Sequence, residues 1–422
     1  MSRPARRSRL SRRLTRLGIG VVRRYGLLPS GQPDRNGDDA RLAGTSLEQA
    51  VIVYFPGTQE DLYQLQQWYG PFRALDRRHP VLVVLQDSRT ARLVRAESGL
   101  PAITIGRYGA LDDLLSRSDV KLALYVGHNP QNFTMLRFTS LAHVFVNHGD
   151  SDKGVVVSNQ NKAYDFLFVA GQAAIDRIRA YTMSFGGAPQ FLTIGRPQLD
   201  FDQPATPRVR AGRSTVLYAP TWEGAQPSLA YGSVASHGPA LVRALLDDGR
   251  FTVAYRPHPL NGVTSGQYGE ADAAVRSLVT DAMARDPSAG HRIETGRPVN
   301  ESLAAADLLV CDVSAVAMDW LPSGKPLVIT EPSSDAVVTA RTRMLDVVPR
   351  LSVPDLEHVA TLVADELDRD PGRAARAELV DYYLGDTSAG AATRRFVDAC
   401  TTVIDRRDAE WARVSSHGPA GP

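Results

Sequence analysis

The chain has 422 residues, enough for two domains of ordinary size, each with its own core. With 43% hydrophobic and 22% charged residues it reads as a globular protein rather than a disordered or fibrous one. The net charge of +2 gives no whole-chain sign of a polyanion partner, and two cysteines, Cys311 and Cys400, make no disulfide framework, so a reducing cytosol is the default expectation.

Residues 1–45 form the first segment. Met1 to Pro33 carries no acidic residue, and Arg3, Arg6, Arg7, Arg9, Arg12, Arg13, Arg16, Arg23 and Arg24 crowd into it. Leu10, Leu14, Leu17 and Val21 recur at helical spacing with arginines on the other faces. Two readings stand: an amphipathic helix lying on an anionic membrane through residues 1–25, or a basic tail. No aromatic residue interleaves the arginines before Tyr25, so nucleic acid is not expected as a partner. Ser11-Arg12-Arg13 has the look of a twin-arginine signal, but the apolar stretch Leu17–Val22 is short and closed by Arg23 and Arg24, so export is not expected. No run reaches the roughly 18 apolar residues of a membrane-spanning helix. The expected location is therefore cytoplasmic, with peripheral contact on the inner face of the membrane. Leu28 to Gly44, rich in Gly, Pro and Asp, reads as a linker.

From Ala50 the pattern changes. Val51–Phe55, Val81–Leu85, Ala102–Ile105, Leu122–Val126, His143–Val146 and Phe166–Val169 are short apolar runs separated by segments of helical length. Near-continuous apolar strands alternating with helices predict a parallel sheet covered on both faces. Phe201 to Arg213, rich in Pro and Arg, is a candidate hinge. The alternation resumes with Thr215–Tyr218, Phe251–Tyr255, Leu308–Cys311 and Leu327–Ile329, and Asp355 to Arg407 reads as mainly helical. The expected fold class is α/β, with two doubly wound Rossmann-type domains, residues 46–205 and 206–405, a tail at 406–422, and the active site in the cleft between the domains.

The informative motifs follow predicted strands. His148 and Gly149 lead into Asp150, Ser151, Asp152 and Lys153. A histidine on such a turn can accept a proton from an attacking hydroxyl near neutral pH, Asp150 or Asp152 would orient its ring, and Lys153 would meet a phosphate as a point charge. The competing reading of His148 is a structural loop histidine. Thr221 and Trp222 end the run from Tyr218, and Trp222 either covers a base or sugar or packs beneath its loop. Arg256, Pro257, His258 and Pro259 set an arginine and a histidine on a loop stiffened by two prolines, where both can donate to developing negative charge. Asp312, Val313, Ser314 and Ala315 open a helix, whose free N–H groups suit phosphate and whose Asp312 or Ser314 would equally serve as a simple cap. Asp319 further along either reaches a ribose or polyol hydroxyl or sits on a solvated face. Together these elements point to chemistry on a diphosphate-linked donor. No P-loop, CxxC, HExxH or GxSxG pattern is present, and neither a cofactor nor a metal site is expected.

This set resembles the CDP-glycerol glycerophosphotransferase family, the polymerases and primases of teichoic acids and related polyol-phosphate polymers. The similar elements are His148-Gly149 with Lys153, the run Tyr218 to Trp222, Arg256 to Pro259, the turn Asp312 to Ala315 with Asp319, Gly324-Lys325-Pro326, and Gly195 to Asp200. The resemblance implies a GT-B-like fold and transfer of a polyol phosphate, glycerol phosphate above all, from a CDP-polyol to a hydroxyl on a lipid-linked or polymeric cell-envelope acceptor, with release of CMP. It implies His148 as general base, with Arg256, His258, Ser314 and Lys153 on the diphosphate. Gly149, Asp150, Thr221, Trp222, Asp312, Ala315 and Asp319 would bind or shape the substrate site. Two departures stand out: Asp150-Ser151 where the family has Thr-Pro, and Ala315 where it has a second serine. The alternatives are a GT-B sugar transferase using a nucleotide sugar, and an inactive GT-B-like protein that binds polymer or membrane as an assembly factor.

Overall fold

The computed structural model describes residues 34, 36–153, 158–184, 190–201, 212–224, 227–295, 299–334, 336–337 and 342–416. The basic segment at residues 1–33 and most of the candidate hinge lie outside them.

Seven strands form the first sheet: β1 (Val51–Phe55), β2 (Val81–Leu85), β3 (Ala102–Thr104), β4 (Leu122–Tyr125), β5 (Ala142–Phe145), β6 (Phe166–Val169) and β7 (Gln190–Thr193). They lie in the order β3-β2-β1-β4-β5-β6-β7, and every pairing is parallel. The second sheet contains β8 (Ser214–Ala219), β9 (Phe251–Tyr255), β10 (Arg292–Ile293), β11 (Leu308–Cys311), β12 (Leu327–Thr330) and β13 (Arg350–Leu351), ordered β10-β9-β8-β11-β12-β13 and again parallel throughout. This is the doubly wound α/β class expected. Each sheet reverses its winding once, between β1 and β4 and between β8 and β11, and such a reversal leaves a crevice at the carboxyl ends of the strands.

The apolar runs are continuous because both faces of each sheet are covered. Val51, Val53 and Phe55 pack on one side with Trp68, Phe72 and Phe396, while Ile52 and Tyr54 pack on the other with Leu111, Leu114 and Ile178. In the second sheet Leu217 and Ala219 face Trp320 and Tyr383, and Val216 and Tyr218 face Leu241, Val275 and Val359.

The end of the chain is arranged differently from the expected boundaries at 405 and 406. The helix Arg373–Leu384 packs on the second sheet through Leu379, Tyr383 and Leu384. The helix Ala391–Ser415 then crosses back and completes the core of the first sheet with Phe396, Cys400, Val403 and Ile404. It continues through the expected tail because Arg407 Nε donates to the Ser140 carbonyl at 2.7 Å and Lys121 Nζ donates to Asp408 at 2.5 Å. Only residues 417–422 of that segment lie outside the described structure.

Candidate active site

All the motif loops leave the carboxyl ends of parallel strands, so they converge on one side of the molecule. Strand β5 delivers the first. Asn147 turns the chain with φ 53°, a backbone that asparagine tolerates by bonding locally. Its Nδ2 donates to the Gly149 carbonyl at 2.6 Å, and its Oδ1 accepts from the His148 N–H at 2.9 Å. Trp68 Nε1 donates to the Asn147 carbonyl at 2.6 Å and ties the turn to the core.

His148 Nδ1 lies 3.2 Å from the Val126 carbonyl oxygen. A carbonyl only accepts, so Nδ1 carries the hydrogen and Nε2 is left with its lone pair. Burial, assisted by Arg196, His128 and Lys153, pulls the ring's pKa down to about 4 against the opposing Val126 bond. The ring is neutral at ordinary pH and holds an acceptor nitrogen.

His258 has the opposite tautomer. Its Nδ1 accepts from the Leu260 N–H at 3.1 Å, which leaves the hydrogen on Nε2. Burial, then Lys153 and His148, lower its pKa to about 3. Tyr63 packs edge-on against both histidines, with ring centroids 5.9 Å away in each case. Trp222 stacks beside His258 at 6.4 Å with planes 22° apart. The loop after β9 is braced by Glu223, whose carboxylate accepts from the Gly262, Thr264 and Ser265 N–H groups at 3.1, 2.8 and 3.1 Å.

Lys153 spans the two domains. Its Nζ donates to Thr221 Oγ1 at 2.9 Å and lies 5.5 Å from the centroid of the Tyr231 ring. Burial lowers its pKa to about 8, with Asp312 opposing the shift. Arg256 Nη1 donates to Ser302 Oγ at 2.9 Å; burial lowers its pKa, with Glu294 and Glu301 opposing the shift.

The carboxylates predicted at the site take other roles. Arg177 binds both Asp150 and Asp152, the latter at 2.6 Å, and Tyr383 Oη donates to Asp152 at 2.9 Å. Neither aspartate orients His148; the Val126 carbonyl does, because the buried guanidinium outcompetes a neutral imidazole for two anionic carboxylates. Asp312 is fully buried and accepts from the Thr221 N–H at 2.6 Å, the Ser233 N–H at 3.2 Å and Thr330 Oγ1 at 2.5 Å, so it fixes the second domain's crevice from below. Asp319 is neither solvated nor open: it forms a two-pronged ion pair with Arg196 at 2.8 and 3.0 Å. Ser314 precedes the helix Ala315–Trp320 in extended conformation, and its buried Oγ has no hydrogen-bond partner among the described residues. A Cβ built on Gly149 would meet the Ala315 Cβ at 2.9 Å, so the two domains pack tightly at these positions.

Sequence reasoning missed Tyr63 and the part played by Arg196. Tyr63 lies in a polar stretch with no pattern to mark it. Arg196 belongs to the Gly195–Asp200 element that the resemblance did single out. Among the described residues no group of three or more His, Cys, Asp or Glu side chains converges, and no helix is long and apolar enough to cross a membrane.

A sequence model of the CDP-Glycerol:Poly(glycerophosphate) glycerophosphotransferase family matches residues 142–394, a span that holds every motif described above. The chain belongs to this family. Comparison with curated protein sequences gives no match. Among solved structures, the wall teichoic acid polymerase TagF soaked with CDPG is similar at a TM-score of 0.55 and 12% identity, covering 95% of this chain and 99% of that one. MnaA of S. aureus with UDP is similar at a TM-score of 0.53 and 11% identity, over 85% and 97% of the two chains. A glycosyltransferase from Rickettsia africae is similar at a TM-score of 0.51 and 10% identity, over 85% and 99%. At such identities the likeness is one of fold, and it identifies the two-sheet architecture of this glycerophosphotransferase family member as GT-B. Family membership makes it a transferase of the CDP-glycerol glycerophosphotransferase type.

Proposed function

We propose that the protein moves a polyol phosphate, glycerol phosphate above all, from a CDP-polyol to a hydroxyl of a lipid-linked or polymeric cell-envelope acceptor and releases CMP. The observation that carries this reading is the pair of opposite tautomers. His148 offers a lone pair on Nε2 and His258 offers an N–H on Nε2, with Tyr63 packed against both.

In the proposed step the acceptor oxygen attacks the phosphorus that bears the polyol. Its proton passes to His148 Nε2 as the new P–O bond forms. The bond from that phosphorus to the bridging oxygen breaks, and CMP leaves with the bridging oxygen. His258 Nε2–H and the Lys153 ammonium donate to the phosphate oxygens, and Arg256 adds its positive field. Little covalent chemistry falls to the protein; positioning and charge stabilisation dominate such transfers. Thr221 holds Lys153 in place, Ser314 leads into the helix Ala315–Trp320 on the donor side, and Trp222 lines that side beside His258. Asp312 and Asp319 act indirectly, through the loops they hold. Residues 1–25 would bring the enzyme to an anionic membrane on its inner face, where a lipid-linked acceptor lies.

The two departures from the family pattern have structural partners: Asp150 binds Arg177, and Ala315 packs against Gly149. They do not by themselves argue for an inactive protein. The test is CMP release from CDP-glycerol, CDP-ribitol and a panel of nucleotide sugars in the presence of a lipid-linked acceptor. Release from a CDP-polyol alone supports the proposal, and turnover of a nucleotide sugar alone contradicts it.

A further inference from the structure

The two histidines of the proposed step belong to different domains. His148 follows β5 of the first sheet and His258 follows β9 of the second, so their spacing depends on how the domains meet. Tyr63 stands against both. Its ring centroid lies 5.9 Å from that of His148 and 5.9 Å from that of His258, with planes 85° and 80° apart. It lies outside the span matched by the family model, which begins at residue 142.

The local sequence turns this ring out of the core. In the helix Leu62–Gln66, Leu62 and Leu65 stand three apart and fill the core of the first sheet. Tyr63, one position on from Leu62, is about 100° further round the helix and leaves that face. Gln67 Nε2 donates to the Tyr63 carbonyl at 3.3 Å, and Trp68 Nε1 donates to the Asn147 carbonyl at 2.6 Å. The segment that carries Tyr63 therefore also ties down the turn that carries His148. The Tyr63 hydroxyl accepts from Nε2 of the adjacent Gln64 at 3.4 Å, a long bond, whereas the contacts to the histidines are made by the ring.

We infer that Tyr63 is a positioning residue of the transfer: its aromatic ring sets the spacing of His148 and His258 across the domains and keeps water from both, so that their Nε2 atoms hold opposite roles. The inference rests on the proposed reaction for what the histidines do, and adds the residue that aligns them. Arg196, His128 and Lys153 face His148, and Lys153, Arg256 and Glu223 face His258. These groups stay in place when Tyr63 is changed. Burial is the largest cause holding both rings neutral, and it is what loss of the ring relaxes.

The test reads the ring nitrogens by NMR in histidine-labelled wild type, Tyr63→Phe, Tyr63→Leu and Tyr63→Ala, with His148→Gln and His258→Gln for assignment. CMP release from CDP-glycerol is measured on the Tyr63 series. His143, bonded to Tyr125 Oη at 2.8 Å, and His237, bonded to the Leu351 carbonyl at 3.2 Å, report the fold of the two domains in the same spectra. Wild type and Tyr63→Phe should keep the hydrogen on Nδ1 of His148 and on Nε2 of His258, and turn over alike. In Tyr63→Leu and Tyr63→Ala both rings should show mixed tautomers at neutral pH, and His148 should titrate about one pH unit higher or more, toward the about 6.5 of a free histidine. Their kcat should fall about 10- to 100-fold with KM for CDP-glycerol little changed, the scale of a displaced reacting group. The fall should deepen as pH drops, because protonation takes the His148 lone pair. Unmixed tautomers with unchanged kcat in both ringless variants, an equal loss in Tyr63→Phe, or displaced His143 and His237 signals in both ringless variants overturns the assignment. If the rings respond as described but wild type releases no CMP, the alignment by Tyr63 stands and the proposed transfer falls.

Discussion

Arg196 and Asp319 join the two domains through a buried ion pair, Nε to Oδ1 at 2.8 Å and Nη2 to Oδ2 at 3.0 Å. The same guanidinium donates from Nη1 to the His148 carbonyl at 3.2 Å. One arginine therefore fixes both the approach of the domains and the backbone of the candidate base. Removing either partner leaves a buried charge uncompensated, which costs about 3–5 kcal/mol in such settings. Asp319→Ala and Arg196→Ala should each lower the melting temperature by several degrees and lower kcat. Thermal melts with steady-state rates check this, and a double variant no worse than either single one would confirm that the two act as a unit.

Gly149 has no room for a side chain, since its Cβ would stand 2.9 Å from the Ala315 Cβ. Gly149→Ala should cost about 1–3 kcal/mol through overpacking, and should depress kcat by shifting the His148 turn. Ala315→Gly should restore part of the rate in the double variant. Chemical denaturation and kinetics on the three proteins measure both effects.

In the proposed step Lys153 meets the diphosphate, so it should set the alkaline limit of donor binding. Burial lowers its pKa to about 8, so the ammonium is present below that pH and is lost as pH rises through it. CDP-glycerol affinity should fall above pH 8 in wild type. In Lys153→Arg the guanidinium stays charged, and the fall should vanish. Isothermal titration between pH 6.5 and about 9.5 separates the two behaviours.

Much of the fold is visible in the sequence. The strands buried on both faces announce themselves as unbroken apolar runs, and those runs became β1, β2, β3, β4, β5, β6, β8, β9, β11 and β12. The three other edge-side strands did not. β7 is exposed or half-buried along its length, and β10 and β13 span two residues each, too short to show a period. The same limit applies to the site. His148, His258, Lys153, Thr221 and Trp222 come together as the motif order suggests, because all follow parallel strands. The fates of Asp150, Asp152 and Asp319 depend on Arg177 and Arg196, whose approach is tertiary. Composition near a motif does not reveal which carboxylate an arginine will occupy.

The C-terminal helix Ala391–Ser415 shows a further limit. Its apolar positions Phe396, Cys400, Val403 and Ile404 mark a buried face, but nothing local says which sheet they cover. They complete the first domain, so truncation before residue 391 should destabilise that domain rather than trim a tail. Phe396→Ala, at a fully buried ring packed on Trp68, should cost about 3–5 kcal/mol in unfolding free energy by denaturant titration.

In the proposed transfer His148 Nε2 takes the proton of an acceptor hydroxyl while His258 and Lys153 hold the diphosphate. The most direct measurement is mass-spectrometric detection of a lipid-linked acceptor extended by glycerol phosphate from CDP-glycerol, in wild type, His148→Ala and His258→Ala, with calorimetric donor affinity for each. Wild type should extend the acceptor, and His148→Ala should lose about 10²–10⁴ in rate with donor binding retained. His258→Ala should lose about 10²–10³, the scale of one donor to developing charge. Extension by His148→Ala at the wild-type rate would contradict it.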